Sequence, residues 1–271
     1  MNSYAESPVV PVIDVSKGLS VTPAAIGHLV DPQDPVALVE HYQTSGAKRI
    51  FVDILDSWQD TPAVLDLVAR LARVSTGLWV SVENGSLPSL READLLLGAG
   101  ADAVSVSTSA FDRPSLIKSL ADRHGPERVV GVLNVRRSGP ETWLVCVDGG
   151  SRRTPLDAVV WARMLADLGA GYILPNSLDG EGGGTGYDMD LVRAMSCAVD
   201  VPVVASGGCG SAEHIHAALS LAGAKYAIVN KVVHSGRLSL SDALGHLRER
   251  GIVWEADAAA DSPRSSDVVG P

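Results

Sequence analysis

The stretch Val201-Pro202-Val203-Val204-Ala205-Ser206-Gly207-Gly208-Cys209-Gly210-Ser211 decides the fold. It opens with small or strand-forming residues, which is typical of a strand covered on both faces. Gly207, Gly208 and Gly210 follow, and glycines let the backbone present bare N–H groups to an anion. Ser211 is placed to cap a helix, whose N-terminus favours the same anion. The stretch therefore predicts a buried strand, a helix and, between them, a turn that either binds phosphate or only permits tight packing.

The chain as a whole has 271 residues, of which 46% are hydrophobic, enough for one α/β barrel or two smaller domains. Its formal net charge of -10 argues against binding to nucleic acid or to an anionic membrane. The chain has no bilayer-length apolar run and no secretion signal, so we expect a cytoplasmic protein. Cys146, Cys197 and Cys209 form no CxxC pair. We therefore expect reduced thiols, no metal site and no cofactor.

Strand and helix patterns alternate along the chain. Strands are predicted at 9–15, 49–54, 78–82, 101–106, 128–135, 172–177, from 201 and at 226–229, with a hairpin excursion at 143–147. Helices are predicted at 34–45, 61–74, 88–97, 114–124, 156–168, 189–198, 212–221 and 240–250. This alternation predicts a parallel sheet with right-handed crossovers. We expect one domain over residues 1–254 and a disordered tail over 255–271.

Internal repetition distinguishes a closed barrel from an open sheet. A Gly-Ala pair stands between helix and strand four times, at residues 46, 100, 169 and 223. The two halves also correspond, since Val12-Ile13-Asp14-Val15 matches Val132-Leu133-Asn134-Val135. Two four-strand halves predict a (β/α)8 TIM barrel with its chemistry at the C-terminal ends of the strands.

Polar residues cluster at the predicted C-terminal ends of the strands, and on this fold they share one mouth. They are Asp14, Asp53, Glu83, Thr108, Asn134, Asn176, Ser177, Glu181, Ser206, Asn230 and Lys231. Two phosphate sites are predicted, one from Gly85 to Ser107 and Thr108, the other from Gly207 and Gly208 to Lys231 with Gly182 alongside. A substrate with a phosphate at each end fits this arrangement.

Several motifs, in order, resemble one known family. They are Val10-Pro11-Val12-Ile13-Asp14-Val15, Phe51-Val52-Asp53-Ile54, Ser177-Leu178-Asp179-Gly180-Glu181-Gly182, Gly186-Tyr187-Asp188 and Ala205-Ser206-Gly207-Gly208-Cys209-Gly210. Residues 8–252 resemble the cyclase subunit of imidazole glycerol phosphate synthase. The phosphoribosyl isomerase barrel of the same pathway is similar, but Gly186-Tyr187-Asp188 favours the cyclase branch.

The resemblance implies acid-base chemistry by two aspartates on opposite sides of the mouth. In the family, ammonia from a glutaminase passes through the barrel, and a bis-phosphorylated ribulosyl substrate is cyclised and cleaved to imidazole glycerol phosphate. Asp14 matches the first aspartate, whereas Asn134 stands at the second and cannot exchange a proton near neutral pH. One positioned acid or base is worth about 10²–10⁴ in rate, so the parental reaction should be strongly impaired.

Further departures from the family occur at both ends of the barrel. Around the mouth they are Thr22 in place of a lysine, Glu83-Asn84-Gly85-Ser86 in place of a glycine triplet, Ser107-Thr108, Glu181 and Asn230-Lys231. At the opposite end, the family's ring of two basic and two acidic residues is matched by Pro8, Lys48, Ala103 and Tyr172. These four side chains cannot form that ring, so a glutaminase partner is not expected.

The resulting hypothesis is a lyase- or cyclase-like enzyme of specialised metabolism that acts on a phosphorylated sugar- or nucleotide-derived metabolite. Asp14 would transfer protons, Asn134 would orient the substrate, and Glu181 or Glu83 would supply a second acid. Asp53 would either assist catalysis or orient its neighbours. Lys231 would add charge to an anion site or, if buried, form a Schiff base. The rivals are a non-catalytic binding barrel and the ordinary cyclase running on free ammonia.

Overall fold

Eight parallel strands close into a barrel in the computed structural model, which describes residues 2–4, 6–27 and 29–254. In chain order the strands are β1 (Asn2–Tyr4), β2 (Val9–Ser16), β3 (Leu19–Ser20), β4 (Ile50–Ile54), β5 (Leu78–Val82), β6 (Ala103–Val106), β7 (Val129–Gly139), β8 (Thr142–Val147), β9 (Arg152–Asp157), β10 (Tyr172–Ser177), β11 (Val204–Ala205), β12 (Tyr226–Val229) and β13 (Ile252–Trp254). The barrel runs β2-β4-β5-β6-β7-β10-β11-β12 and returns to β2. Bridges from Ile173 to Val203 and from Asn176 to Ser206 join β10 to the β11 segment. The predicted (β/α)8 barrel is confirmed.

The helices pack around the outside of the barrel. They are α1 (Pro35–Thr44), α2 (Thr61–Ala72), α3 (Leu90–Gly98), α4 (Thr108–Asp112), α5 (Ser115–His124), α6 (Ala158–Asp167), α7 (Met189–Ala198), α8 (Ala212–Leu221), α9 (Lys231–His234) and α10 (Leu240–Glu249). Ser211 caps α8 as predicted, since its hydroxyl accepts from the His214 N–H at 3.4 Å. None of these described helices is both long and apolar enough to cross a bilayer.

Several predicted boundaries differ from the observed ones by one to four residues, and two of these differences have a clear structural cause. Helix α6 begins at Ala158 rather than Leu156, because β9 continues to Asp157, whose carboxylate accepts from two N–H groups of the first turn. Strand β11 is only two residues long, because Pro202 has no N–H to donate and the glycine turn starts at once. The predicted hairpin excursion is confirmed as β8, which pairs antiparallel with β7 and β9. The predicted tail and His28 lie outside the described residues.

The four Gly-Ala joints share one conformation. Gly46, Gly100, Gly169 and Gly223 have φ values of +106°, +110°, +105° and +79°. A side chain is disfavoured at such φ, and at Gly100 an added Cβ would lie 2.5 Å from the Cβ of Ala72. The repeated sequence therefore reflects a repeated close turn from helix into strand.

An arginine held among aromatic rings fills the lower end of the barrel. The Arg49 guanidinium lies 5.0 Å from the Trp79 ring centroid and 5.3 Å from those of Tyr172 and Tyr226, all three buried. Its Nε pairs with Glu6, which also accepts from the Tyr226 hydroxyl at 2.8 Å. We call these five residues the Arg49 cage.

The Arg49 cage modifies the expectation for this end of the barrel. Lys48, matched above to one position of the family's ring, is exposed, and its neighbour Arg49 occupies the interior because successive side chains alternate across a strand. An ion pair with Glu6 is thus present where no ring from the four matched residues was expected.

Candidate active site

A cavity of about 250 Å³ lies at the C-terminal ends of the barrel strands. Thirteen of the sixteen predicted site residues line it: Asp14, Asp53, Gly85, Ser107, Asn134, Asn176, Glu181, Gly182, Ser206, Gly207, Gly208, Asn230 and Lys231. Carboxylates, amides and hydroxyls therefore line the cavity. Apolar side chains, among them Val12, Phe51 and Leu174, also belong to its lining.

The side chain of Asp14 is fixed from the neighbouring strand end. Its Oδ2 accepts a hydrogen bond from Asn230 Nδ2 at 3.0 Å. Behind this pair, buried His234 donates from Nε2 to the Val12 carbonyl at 2.8 Å. Burial lowers the pKa of His234, so its neutral ring accepts at Nδ1 from the Tyr42 hydroxyl, 3.2 Å away. These bonds tie the end of β2 to α9 and orient the Asp14 carboxylate.

On the opposite side of the mouth, three polar side chains form a chain of hydrogen bonds. Ser206 Oγ donates to Asn176 Oδ1 at 3.0 Å, and Asn176 Nδ2 donates to Asn134 Oδ1 at 3.0 Å. The Asn134 amide therefore has its oxygen occupied and its N–H groups left for a ligand. It can orient a carbonyl or oxyanion but cannot take up a proton.

Asp53 is the buried acid of the site. It pairs in register with Asp14 on the adjacent strand, and its Oδ1 is buried without a hydrogen-bond partner among the described residues. Burial raises the pKa of Asp53 to about 6, with smaller contributions from the charges of Asp14 and Glu181. A hydrogen bond from Ser81 partly opposes this rise. Asp53 can therefore hold a proton close to neutral pH.

Replacing Asp53 with Asn should change how stability depends on pH. A carboxyl whose pKa rises from 3.8 to about 6 on folding lowers the free energy of unfolding as pH increases through that window. Asp53→Asn removes this loss, so its stability relative to wild type should be greater at pH 8 than at pH 5 by roughly 1 kcal/mol. Urea unfolding at both pH values measures this difference.

The matched control is Glu181→Gln, which neutralises an exposed acid of the same mouth. It should show a much smaller pH-dependent gain, because it removes only one of the minor contributions to the raised pKa of Asp53. A constant offset between wild type and Asp53→Asn at both pH values would contradict a protonated Asp53 in the folded protein.

The two halves of the barrel present the same backbone geometry at the mouth. Ser107 precedes α4 with φ -125° and ψ -93°, and Asn230 precedes α9 with φ -132° and ψ -98°. Neither side chain caps its helix, so the first-turn N–H groups stay open. Sequence analysis predicted the two-fold correspondence but missed these two short helices.

The turn formed by Gly207 and Gly208 packs against the loop that follows β10. A Cβ on Gly207 would lie 2.4 Å from the Ser177 carbonyl oxygen, and one on Gly208 would lie 2.1 Å from that of Gly186. The Gly186 N–H donates to the Gly208 carbonyl at 2.8 Å. The N–H groups of Gly207 and Gly208 meet no acceptor among the described residues. Close packing and open donors therefore coexist in this turn.

Three predicted residues lie outside the cavity lining. Thr108 Oγ1 accepts from the Asp148 N–H at 2.9 Å, and Ser177 is buried behind Ser206. Glu83, at φ +49°, turns its carboxylate away to the Trp58 N–H at 3.0 Å. Glu83 is therefore not placed to serve as the second acid.

Lys231 and Cys209 are the lysine and the thiol of the cavity lining, and neither is placed for covalent chemistry. Lys231 is exposed, with its Nζ over Gly182, so the burial that Schiff-base chemistry would require is absent. Burial raises the pKa of the Cys209 thiol, which keeps it protonated. Within the described residues no group of histidines, cysteines or acids could hold a metal ion.

Several residues of the cavity wall were given no role from the sequence, and three of them show why. Arg237 comes from the loop after α9, Asn84 from the turn after β5, and Gly149 from the turn between β8 and β9. The hairpin reaches the mouth because β8 and β9 extend the sheet beyond β7. No strand-end pattern marks Arg237, since it lies seven residues beyond the strand-end residue Asn230.

The chain is thus a closed (β/α)8 barrel whose ionisable and amide side chains gather at the C-terminal ends of the strands. Barrel enzymes carry their active sites at that end. Residues 8–239 match the sequence model of the family described as histidine biosynthesis protein. The chain is also 42% identical over 248 residues to the imidazole glycerol phosphate synthase subunit HisF of Salinispora arenicola (strain CNS-205), covering 90% of this chain and 96% of that protein. The chain therefore belongs to the histidine biosynthesis protein family, as a homologue of HisF.

Proposed function

We propose that this cyclase-like barrel is an enzyme that binds a phosphorylated sugar- or nucleotide-derived metabolite in its mouth. It performs cyclisation, isomerisation or carbon–nitrogen lyase chemistry and serves a specialised biosynthetic pathway. One observation carries this proposal. Asp14, whose carboxylate is oriented by Asn230, lies on one side of the mouth, and the Asn134 amide, which cannot exchange a proton, lies on the other. Asp14 keeps the means for proton transfer, whereas Asn134 has lost it.

The division of labour in the mouth follows from chemistry and position. Asp14 accepts or returns the proton at the reacting carbon or nitrogen. Asn134 donates hydrogen bonds that orient a substrate oxygen, with its own oxygen tied to Asn176 at 3.0 Å. Asp53, with its raised pKa, lies on the strand next to Asp14 and would supply a second proton, and exposed Glu181 is the alternative.

Anion binding is assigned to the two turns related by the barrel's internal symmetry. Gly207, Gly208, Asn230 and Lys231 form one, with Gly182 and Ser206 beside it. Gly85 and Ser107 form the other, with Thr108 next to Ser107, whereas Ser177 lies behind Ser206 at the first turn. Open backbone N–H groups and first-turn amides are the donors that phosphate oxygens use.

The same proposal includes independence from a glutaminase. The HisF relative is by its name one subunit of a synthase. In this chain the Arg49 cage occupies the lower end of the barrel, and the cavity beneath it, about 210 Å³, shares no lining residue with the mouth. Ammonia, where the reaction uses it, would come from solution.

An assay of the parental reaction tests the proposal directly. With the bis-phosphorylated ribulosyl substrate and ammonium at raised pH, we expect imidazole glycerol phosphate at least about 100-fold more slowly than from the Salinispora arenicola relative assayed in parallel. Adding a glutaminase subunit with glutamine should not increase the rate. Equal rates for the two proteins would contradict the divergence, and stimulation by glutamine would contradict the independence.

A further inference from the structure

We propose that Arg137 is a positioning residue, which holds the loop of residues 180–187 at the mouth and thereby places the Glu181 carboxylate in the cavity wall. Three residues of this loop, Glu181, Gly182 and Gly184, line the cavity. Arg137 lies on the part of β7 that extends beyond the barrel and pairs with β8. The inference rests on the proposed function for the role of Glu181, and on geometry alone for the position of the loop.

Arg137 contacts both ends of this loop. At the first end, its backbone N–H donates to Asp179 Oδ2 at 2.7 Å, while Arg136 Nη1 lies 3.3 Å from the other oxygen of that carboxylate. At the second end, the Arg137 guanidinium donates to Asp188 Oδ1 at 2.7 Å and to Asp190 Oδ2 at 3.2 Å. The segment between these ends is therefore a compact Ω-loop, and we call Arg137, Asp179 and Asp188 its neck.

The hairpin formed by β7 and β8 fixes the Asp188 side of the neck. The indole N–H of buried Trp143 donates to Asp188 Oδ2 at 2.8 Å, and Trp143 lies opposite Arg137 in the pairing of the two strands. The Arg137 guanidinium lies 4.8 Å from the centroid of the Trp143 ring, which is a cation–π contact. Asp188 also caps α7 through the Leu191 N–H at 3.1 Å. Arg137 is thus held between an aromatic ring and the carboxylates of the loop ends.

The segment between the two ends has few contacts of its own. Five of its eight residues are glycines, and Glu181, Gly182 and Gly183 are exposed. At its second end, the hydroxyl of buried Tyr187 donates to the Ile228 carbonyl at 2.7 Å. Because glycines lose the most conformational freedom when they become ordered, the position of the exposed part depends on the neck.

A glutamate-specific protease, applied to the folded full chain, tests the position of the loop. Cleavage after Glu181 should be at least about tenfold faster in Arg137→Met than in wild type, because the charge-assisted hydrogen bonds to Asp188 and Asp190 are lost. Arg137→Lys keeps a cation for Asp188 and should restore slow cleavage. Cleavage after Glu141, in the turn between β7 and β8, is the internal reference and should not change.

The matched control is Arg152→Met, which removes similar contacts from the same antiparallel extension. Arg152 pairs with Asp148 at 2.7 Å and lies 5.8 Å from the Phe111 ring centroid, and neither contact involves the loop. This variant should leave cleavage after Glu181 at the wild-type rate. Equal cleavage after Glu181 in wild type and Arg137→Met would overturn the inference. Faster cleavage after Glu181 and Glu141 alike would do the same, because the whole hairpin would then have loosened.

Turnover tests whether Arg137 acts through Glu181. In an Asn134→Asp background, Arg137→Met should lower the rate at least about tenfold, but less than about twofold once Glu181→Gln is present, because two changes that act through one group are not additive. Equal effects with and without Glu181→Gln would overturn the action through Glu181. Absence of turnover from wild type and every variant would overturn the proposed function, whereas the cleavage rates would still decide the position of the loop.

Discussion

Asn134→Asp should raise the ammonia-dependent formation of imidazole glycerol phosphate by about 100-fold or more. The change restores a group able to exchange a proton on the side of the mouth opposite Asp14, and such a group contributes about 10²–10⁴ in rate. The fold should tolerate it, because a carboxylate oxygen can accept the same 3.0 Å hydrogen bond from Asn176 Nδ2. Steady-state rates of the purified variant and wild type measure the gain.

Gln59→Glu is the matched control for this substitution. It makes the same change from amide to carboxylate at an exposed residue outside the cavity wall and alters the net charge equally. Its rate should stay at the wild-type level. A folded Asn134→Asp variant with no gain would mean that the missing acid is not what separates this barrel from the parental reaction.

Asp14→Asn should lower turnover by about a thousandfold, within the range for one positioned acid or base. The effect is best measured in the Asn134→Asp background, where the rate is higher. The amide oxygen of the variant can still accept from Asn230 Nδ2, which lies 3.0 Å from the present Asp14 carboxylate. Shape and hydrogen bonding are thus retained, and only the exchangeable proton is lost.

Phosphate affinity provides the control for Asp14→Asn, because Asp14 lies on the floor rather than at an anion-binding turn. We expect that affinity to change less than about twofold, well under the tenfold step that 1.4 kcal/mol represents. Undiminished turnover in the variant would favour a different base. A wild-type protein that binds phosphate compounds but converts none would favour the non-catalytic binding barrel.

The strand ends of the site could be predicted from sequence because they follow simple periodicities. Asp14 and Asn134 terminate corresponding apolar runs, and the barrel geometry alone brings such residues together. The turns at the four Gly-Ala joints could be predicted in the same way, because each glycine has a positive φ. Sequence therefore predicted the fold and the floor of the mouth.

The parts that escaped prediction depend on contacts between distant segments or on local chain direction. Arg237 and Gly149 reach the cavity only through the path of their loops. Glu83 looked like a mouth residue, but its positive φ turns the carboxylate toward Trp58. Lys48 and Arg49 are adjacent in the sequence, but the Lys48 side chain lies on the exterior of the barrel and the Arg49 side chain lies in its interior. Sequence spacing alone resolves none of these.

Under the proposed independence from a glutaminase, both reactants enter the barrel through the mouth at the C-terminal ends of its strands. Over the described residues, the cavities above and below the Arg49 cage have no wall residue in common, which supports that proposal. A seated metabolite then covers the floor where Asp14 and Asp53 lie. The binding order is thereby fixed, because a small co-reactant must bind before the metabolite. Two-substrate kinetics should accordingly be ordered rather than random.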